Sequence, residues 1–114
     1  MPVLCRVQTR DLPFVLCTHP LILAEVVWVL ESYYKLPRAE IVAKLEVILN
    51  TPNLIVFEAE TFARAIEFYS GSGIDLADCF AAALAVKDGS TLLSYDRDFD
   101  KLEGITKSEP EEIV

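Results

Sequence analysis

The chain has 114 residues, of which 53% are hydrophobic, so its length fits one small domain with a single packed core. Its formal net charge of −8, from 18 acidic and 10 basic side chains, excludes a broad positive surface that would attract nucleic acid regardless of sequence. Cys5, Cys17 and Cys79 lack any CxxC spacing, which argues against a disulfide framework and a structural zinc site, so we expect reduced thiols.

The longest apolar stretch covers residues 21–30 and is too short to cross a bilayer core of about 30 Å. It predicts a buried helix, and the chain is not expected to act at a membrane. The N-terminus shows no charged segment leading into an apolar stretch and a cleavage site, so we expect a cytoplasmic protein. The acidic charge still permits a metal-dependent enzyme, because a divalent cation in an acidic cleft reverses the local sign.

The first half of the chain predicts two helices and a strand. After the apolar residues 14–17, Thr18 and Pro20 signal the start of a helix over residues 20–34. His19, the only histidine, precedes Pro20 and is interpreted as a loop or capping residue, so no Ser-His-Asp or Cys-His arrangement is supported. Pro37 breaks this helix and can start a second, amphipathic one that ends near Asn50. Residues 54–57 predict a parallel strand covered on both faces.

The second half predicts two more helices and another strand. Residues 61–70 form an amphipathic helix that the glycines at 71 and 73 stop, and Asp75 opens an alanine-rich helix that ends at Gly89. Residues 91–95 predict a strand, and an acidic turn follows it. The chain then runs back as a short segment through Ile105, and residues 106–114 predict a frayed acidic tail. Helices alternating with short apolar strands indicate an α/β layer architecture with a mostly parallel sheet.

Glu25 stands in the apolar part of the first predicted helix. An unpaired carboxylate on an apolar face costs several kcal/mol of desolvation, so we expect it to be protonated, paired with a cation or exposed in a cleft. A pairing with an arginine, or a place at the rim of a helix interface, is the structural alternative. Its helical neighbours are all apolar, namely Leu21, Ile22, Trp28 and Val29.

Asp78 lies one turn into the alanine-rich helix, where small side chains at Ala81 and Ala82 leave room for close approach. Asp75 is a natural N-cap, and acids in a first helical turn favour the helix dipole by about 0.3 to 1 kcal/mol. Both aspartates therefore also have a purely structural explanation.

Asp96 and Asp98 follow the strand predicted for residues 91–95, and ligands of open parallel sheets bind beyond the carboxyl ends of strands. Acids are also common in surface turns. Taken with Glu25 and Asp78, the pair predicts a carboxylate site without histidine or cysteine, which suits Mg²⁺ or Mn²⁺. Two such ions suit phosphodiester hydrolysis.

Three segments of the chain share a pattern with a known protein family. Residues 23–30 look like a helix that carries a metal-binding glutamate, which is Glu25 here. Residues 75–85 are similar to a helix in which an aspartate, here Asp78, precedes an alanine-rich run. Residues 94–99 are similar to a segment at the end of a strand that carries acids, here Asp96 and Asp98. In this order and spacing, they resemble the PIN-domain family of VapC-like toxin ribonucleases.

The resemblance implies a PIN-like three-layer α/β/α fold in which residues 1–114 form one domain. It implies that Glu25, Asp78 and Asp96 are catalytic residues. The same three residues, together with Asp98, would bind Mg²⁺ or Mn²⁺. Asp75 and Ser94 are secondary candidates for the site. It further implies RNA as the substrate and a small antitoxin protein as a partner.

The family's opening strand, which ends in an aspartate, has no counterpart here. Only Asp11 precedes Glu25, at the wrong spacing and in no strand end, so residues 1–13 are predicted to be an atypical N-terminal segment. We expect the strand to be missing or replaced, for example by a neighbouring chain. Its loss uncovers apolar surface, which favours a homodimer, and removes a metal ligand, which lowers metal affinity and reaction rate.

The leading hypothesis is a metal-dependent endoribonuclease of the toxin–antitoxin type, impaired by the missing strand. A second hypothesis is a catalytically inactive PIN-like module that binds a partner protein through the surface this strand would cover. A third is an unrelated small α/β domain whose acids are simply solvated. Metal-dependent RNA cleavage distinguishes the first from the second, and scattered carboxylates would favour the third.

Overall fold

The computed structural model describes residues 15–113 of the chain. These residues form four α-helices, four short strands and two 3-10 helices. In chain order they are β1 (Leu16–Thr18), α1 (Pro20–Ser32), α2 (Arg38–Leu49), β2 (Leu54–Val56), α3 (Ala59–Ser72), α4 (Leu76–Asp88), β3 (Leu92–Leu93), η1 (Arg97–Lys101), β4 (Lys107–Ser108) and η2 (Pro110–Ile113). The atypical segment predicted for residues 1–13, with Asp11 and Cys5, lies outside the described residues.

The predicted α/β class with parallel strands is confirmed. The strand β1 pairs in parallel with β2, and β3 pairs in parallel with β4. The chain divides into two compact units, residues 1–59 and 60–114, and a single domain over the whole chain remains a prediction. No helix within residues 15–113 combines the length and the apolar character needed to cross a membrane.

The first unit holds α1 and α2 beside the β1–β2 pair. The imidazole Nδ1 of His19 accepts a hydrogen bond of 3.1 Å from the Leu21 amide, so His19 is the capping residue that the sequence predicted. Pro20 fits the first turn because its missing amide needs no partner there. Each helix buries one apolar stripe, with Pro20, Leu23, Val27 and Leu30 on α1 and Ile41, Leu45 and Ile48 on α2.

Two burial predictions in this unit are wrong. Residues 21–30 do not form a helix buried on all sides, since Leu21 is 67% exposed and Trp28 is 66% exposed. The strand β2 is not covered on both faces, because Val56 is buried while Ile55 faces solvent. Hydrophobicity alone predicted burial here, and only the packing of neighbouring elements decides which apolar side chains leave water.

The second unit is built from α3, α4 and the β3–β4 pair. The rings of Phe62 on α3 and Phe80 on α4 lie 6.4 Å apart, and both helices bury an apolar face. Gly89 ends α4 in the left-handed conformation at φ 64°, which agrees with its predicted place after the helix. The strand β3 is shorter than the predicted residues 91–95 and pairs Leu92 with Lys107.

Within the predicted acidic tail at 106–114, the described residues 106–113 are not frayed. Lys107–Ser108 are the strand β4, and the Leu92 amide donates a 2.7 Å hydrogen bond to the Thr106 carbonyl. The phenol of Tyr95 donates a hydrogen bond to the carboxylate of Glu111 in η2. Backbone hydrogen bonds between β3 and β4 order this segment, and the polar and acidic side chains gave no indication of them in the sequence.

Candidate metal centre

Three of the predicted site residues meet in the second unit. Asp78 comes from α4, while Asp96 and Asp98 come from the loop that follows β3. One carboxylate oxygen from each lies within 4.8 Å of the other two. Asp78 and Asp98 are partly buried and Asp96 is exposed, so the cluster is open to solvent on one side.

The helix α4 places Asp78 at the edge of the packed interior. The neighbouring Cys79 and the small residue Ala82 are fully buried, which fixes the rotation of this helix. Asp75 takes the N-cap position and its carbonyl accepts from the Cys79 amide at 3.0 Å, but its side chain makes no capping hydrogen bond. Asp75 therefore begins the helix through its backbone and keeps its carboxylate near the other acids.

The loop after β3 is ordered by short-range hydrogen bonds. The hydroxyl of Ser94 accepts from the Asp96 amide at 2.9 Å, and Asp96 Oδ1 accepts from the Asp98 amide at 2.9 Å. Asp96 thereby caps η1, and Phe99 anchors that turn because its side chain is buried. Ser94, a predicted secondary residue, therefore acts on the loop's conformation.

The electrostatics of the cluster favour a cation. Burial raises the pKa of Asp78 above its usual value, and the nearby carboxylates of Asp96, Asp75 and Asp98 raise it further. The Lys101 ammonium lies 3.2 Å from the Asp98 carboxylate and offsets part of this repulsion. Because a divalent ion would offset more of it, and oxygen ligands suit Mg²⁺ and Mn²⁺, the residues present fit such an ion.

The chain is similar to a known protein family and to a curated protein. The family model of the PIN domain matches residues 6–105. The chain belongs to the PIN-domain family. It is 32% identical over 85 residues to Ribonuclease VapC37 of Mycobacterium tuberculosis, a match that covers 69% of this chain and 58% of that protein. The chain thus spans less than two thirds of that relative's length. No solved structure matches it.

The resemblance to PIN domains drawn from the three segments is therefore confirmed, and two of those segments supply the aspartate cluster. Glu25, from the remaining segment, lies on α1 in the first unit with an exposed side chain. Its apolar neighbours Trp28 and Leu21 are exposed as well, so Glu25 avoids the desolvation cost of an apolar face by exposure, which was one of the three alternatives predicted for it. Its role as a metal ligand remains a prediction.

Sequence reasoning missed the basic residues around the PIN-domain cluster. Lys101 pairs with Asp98, and Lys107 reaches the loop from β4, donating a 3.2 Å hydrogen bond to the Asp96 carbonyl. The i,i+3 spacing of Asp98 and Lys101 was a usable signal for the first contact. The second depends on the pairing of β4 with β3, which nothing in the polar sequence around Lys107 indicated.

Proposed function

We propose that this PIN-domain protein is a metal-dependent endoribonuclease of the VapC-like toxin–antitoxin type. The observation that carries the proposal is the meeting of Asp78, Asp96 and Asp98 within 4.8 Å. Their spacing suits a shared hard cation, which would offset both the burial and the neighbouring carboxylates that raise the pKa of Asp78. The similarity to a protein named as a ribonuclease supports RNA as the substrate.

In this proposal, Asp78, Asp96 and Asp98 hold Mg²⁺ or Mn²⁺, and Glu25 is a further ligand on the strength of the family resemblance. When bound, such ions activate water and neutralise the charge that develops in phosphodiester hydrolysis. The protein's own contribution is to hold the three carboxylates close together despite the raised pKa of Asp78.

The test is cleavage of a fluorescent single-stranded RNA by purified protein with millimolar Mn²⁺, with and without a chelator. We expect the chelator to abolish cleavage, and the double variant Asp78→Asn, Asp96→Asn to lose it as well. Asp88→Asn is the matched control, because Asp88 is an exposed acid on the same helix outside the cluster. Cleavage that survives the double variant, or no cleavage and no Mn²⁺ binding by calorimetry, overturns the nuclease proposal.

We also propose that the protein forms a homodimer through the exposed apolar face of α1. Leu21, Ile22 and Trp28 lie on this helix with more than half of each side chain in solvent. Contiguous apolar surface of this kind marks protein interfaces, and a second copy is the partner always present at the same concentration. Light scattering should then give twice the 12.7 kDa mass of the chain, whereas a monomer at all concentrations would contradict the proposal.

The remaining partner in this proposal is a small antitoxin protein in the cytoplasm. The family resemblance is its main support, and the net charge of −8 favours a basic segment in such a protein. The inactive-module hypothesis, in which the chain binds a partner protein through the surface that the family's opening strand would cover, differs from this proposal in lacking catalysis. The RNA cleavage assay therefore decides between them.

A further inference from the structure

Lys107 joins the C-terminal strand to the loop that carries two of the clustered aspartates. Its ammonium nitrogen donates a hydrogen bond of 3.2 Å to the Asp96 carbonyl and lies 3.6 Å from Asp100 Oδ1. The side chain is only 12% exposed, unusual for a lysine on an edge strand. The packed side chain loses the rotamer freedom of an exposed lysine, and its two oxygen partners hold the ammonium in this one orientation.

The strand pairing determines where Lys107 stands. Its backbone lies opposite Leu92 in the parallel β3–β4 pair, and the Ser94 amide donates a 3.0 Å hydrogen bond to the Ser108 carbonyl. The strand β4 therefore pairs with β3 and also places the Lys107 ammonium against the loop that follows β3. Removal of Lys107 would leave the ladder in place and release only the loop.

The contacts of Asp96 show what would be released. Its amide bonds the Ser94 hydroxyl, its Oδ1 bonds the Asp98 amide, and its carbonyl bonds Lys107. The first two bonds are local, within two residues along the chain, and do not connect the loop to β4. The Lys107 bond ties the Asp96 backbone itself to β4, whereas the buried Phe99 side chain holds the turn from the other side, so Lys107 contributes to where the loop's two carboxylates lie.

We infer that Lys107 is a positioning residue for the metal centre, acting through the Asp96 backbone rather than on the metal or the substrate. The inference rests on the proposed function, in that the positioned carboxylates are taken to bind a divalent cation. Lys101 is its natural contrast, because it is 60% exposed and pairs directly with the Asp98 carboxylate.

The two lysines give predictions of opposite sign. Loss of a nearby positive charge favours cation binding, so on charge alone both Lys107→Met and Lys101→Met should bind Mn²⁺ more tightly. Loss of positioning has the reverse effect, because removal of a residue that orients a metal ligand typically weakens metal binding by about 10- to 100-fold. A decrease in affinity for Lys107→Met is therefore not explained by charge.

The first measurement is the Mn²⁺ dissociation constant by calorimetry for the full chain and three variants. We expect Lys107→Met to weaken binding by about 10-fold or more, Lys101→Met to leave it equal or tighter, and Lys107→Arg to restore it to within about threefold. Unchanged or tighter binding by Lys107→Met, with an unaltered circular dichroism spectrum, overturns the inference. If the unaltered protein binds no Mn²⁺, the proposed function fails instead.

A second measurement needs no metal and keeps the inference testable in that case. Hydrogen exchange of residues 94–102 reports on the amides of Asp96 and Asp98 directly. We expect faster exchange there in Lys107→Met and unchanged exchange in Lys101→Met. Equal exchange in the two variants would show that Lys107 does not hold the loop, whatever the protein's activity.

Discussion

The helices α1 and α4 each carry a predicted site carboxylate, yet they place it in opposite surroundings. On α4, Asp78 is half-buried beside acids of its own unit, and burial with those acids raises its pKa. On α1, Glu25 is exposed beside Trp28 and Leu21, which are themselves in water. The difference shows that an acid among apolar residues in the sequence indicates an unusual electrostatic environment only when those apolar residues are buried. The residues around Asp78 are buried, and those around Glu25 are not.

The largest effect expected from this comparison concerns Glu25. If Glu25 is a ligand despite its exposure, Glu25→Gln should lower Mn²⁺-dependent RNA cleavage by about 100-fold, because a ligand's charge stabilisation amounts to several kcal/mol. Glu46→Gln, an exposed acid on α2, is the matched control. Equal initial rates for both variants would remove Glu25 from the site and leave the three aspartates.

A second prediction contrasts the aromatic side chains of the two units. Phe62 is 0% exposed in α3, so Phe62→Ala should lower the free energy of unfolding by about 3 to 5 kcal/mol. Trp28→Ala should change it by less than about 0.5 kcal/mol in the monomer, because that side chain is already in water. Urea unfolding at low protein concentration measures both, and similar losses would mean that α1 is covered.

The third prediction sharpens the role of the α1 face. Trp28→Glu places a charge within the proposed dimer interface and should raise the dissociation constant of the dimer by about 30-fold or more, typical of an aromatic hot spot. Val47→Glu changes a comparably exposed apolar residue on α2 and should leave the dimer intact. Sedimentation velocity separates the two outcomes, and equal weakening would place the interface elsewhere.

The smallest expected effect is a pH-dependent gain in stability. The pKa of Asp78 is raised in the folded state, so its stabilising contribution is present below the unfolded-state pKa and is lost as pH rises through the folded-state pKa. Asp78→Asn should therefore melt at a higher temperature than the unaltered protein at neutral pH, without metal, and this advantage should shrink on acidification. A neutral-pH loss of stability would contradict the repulsion inferred within the cluster.

Local sequence signals predicted most of the elements. Pro20 with His19 marked the start of α1, Pro37 marked the break before α2, and Gly89 marked the end of α4. These signals act within one or two turns of the chain, where backbone geometry and capping dominate. The order and spacing of three motifs, with Glu25, Asp78 and Asp96, likewise predicted the family, which the match over residues 6–105 confirms.

Contacts between distant segments decided the rest. Apolar sequence predicted a buried α1, and the acidic tail predicted disorder, but the exposed Trp28 and the pairing of Leu92 with Lys107 contradict both. Residue type alone does not specify its neighbours, so long-range packing sets which apolar faces leave water and which lysine reaches a loop. The sequence by itself determined the four helices, the family and the candidate acids, because capping signals and motif order are local. Only the tertiary structure brought three aspartates together and placed the Lys107 ammonium against the Asp96 carbonyl, because both depend on contacts between distant segments.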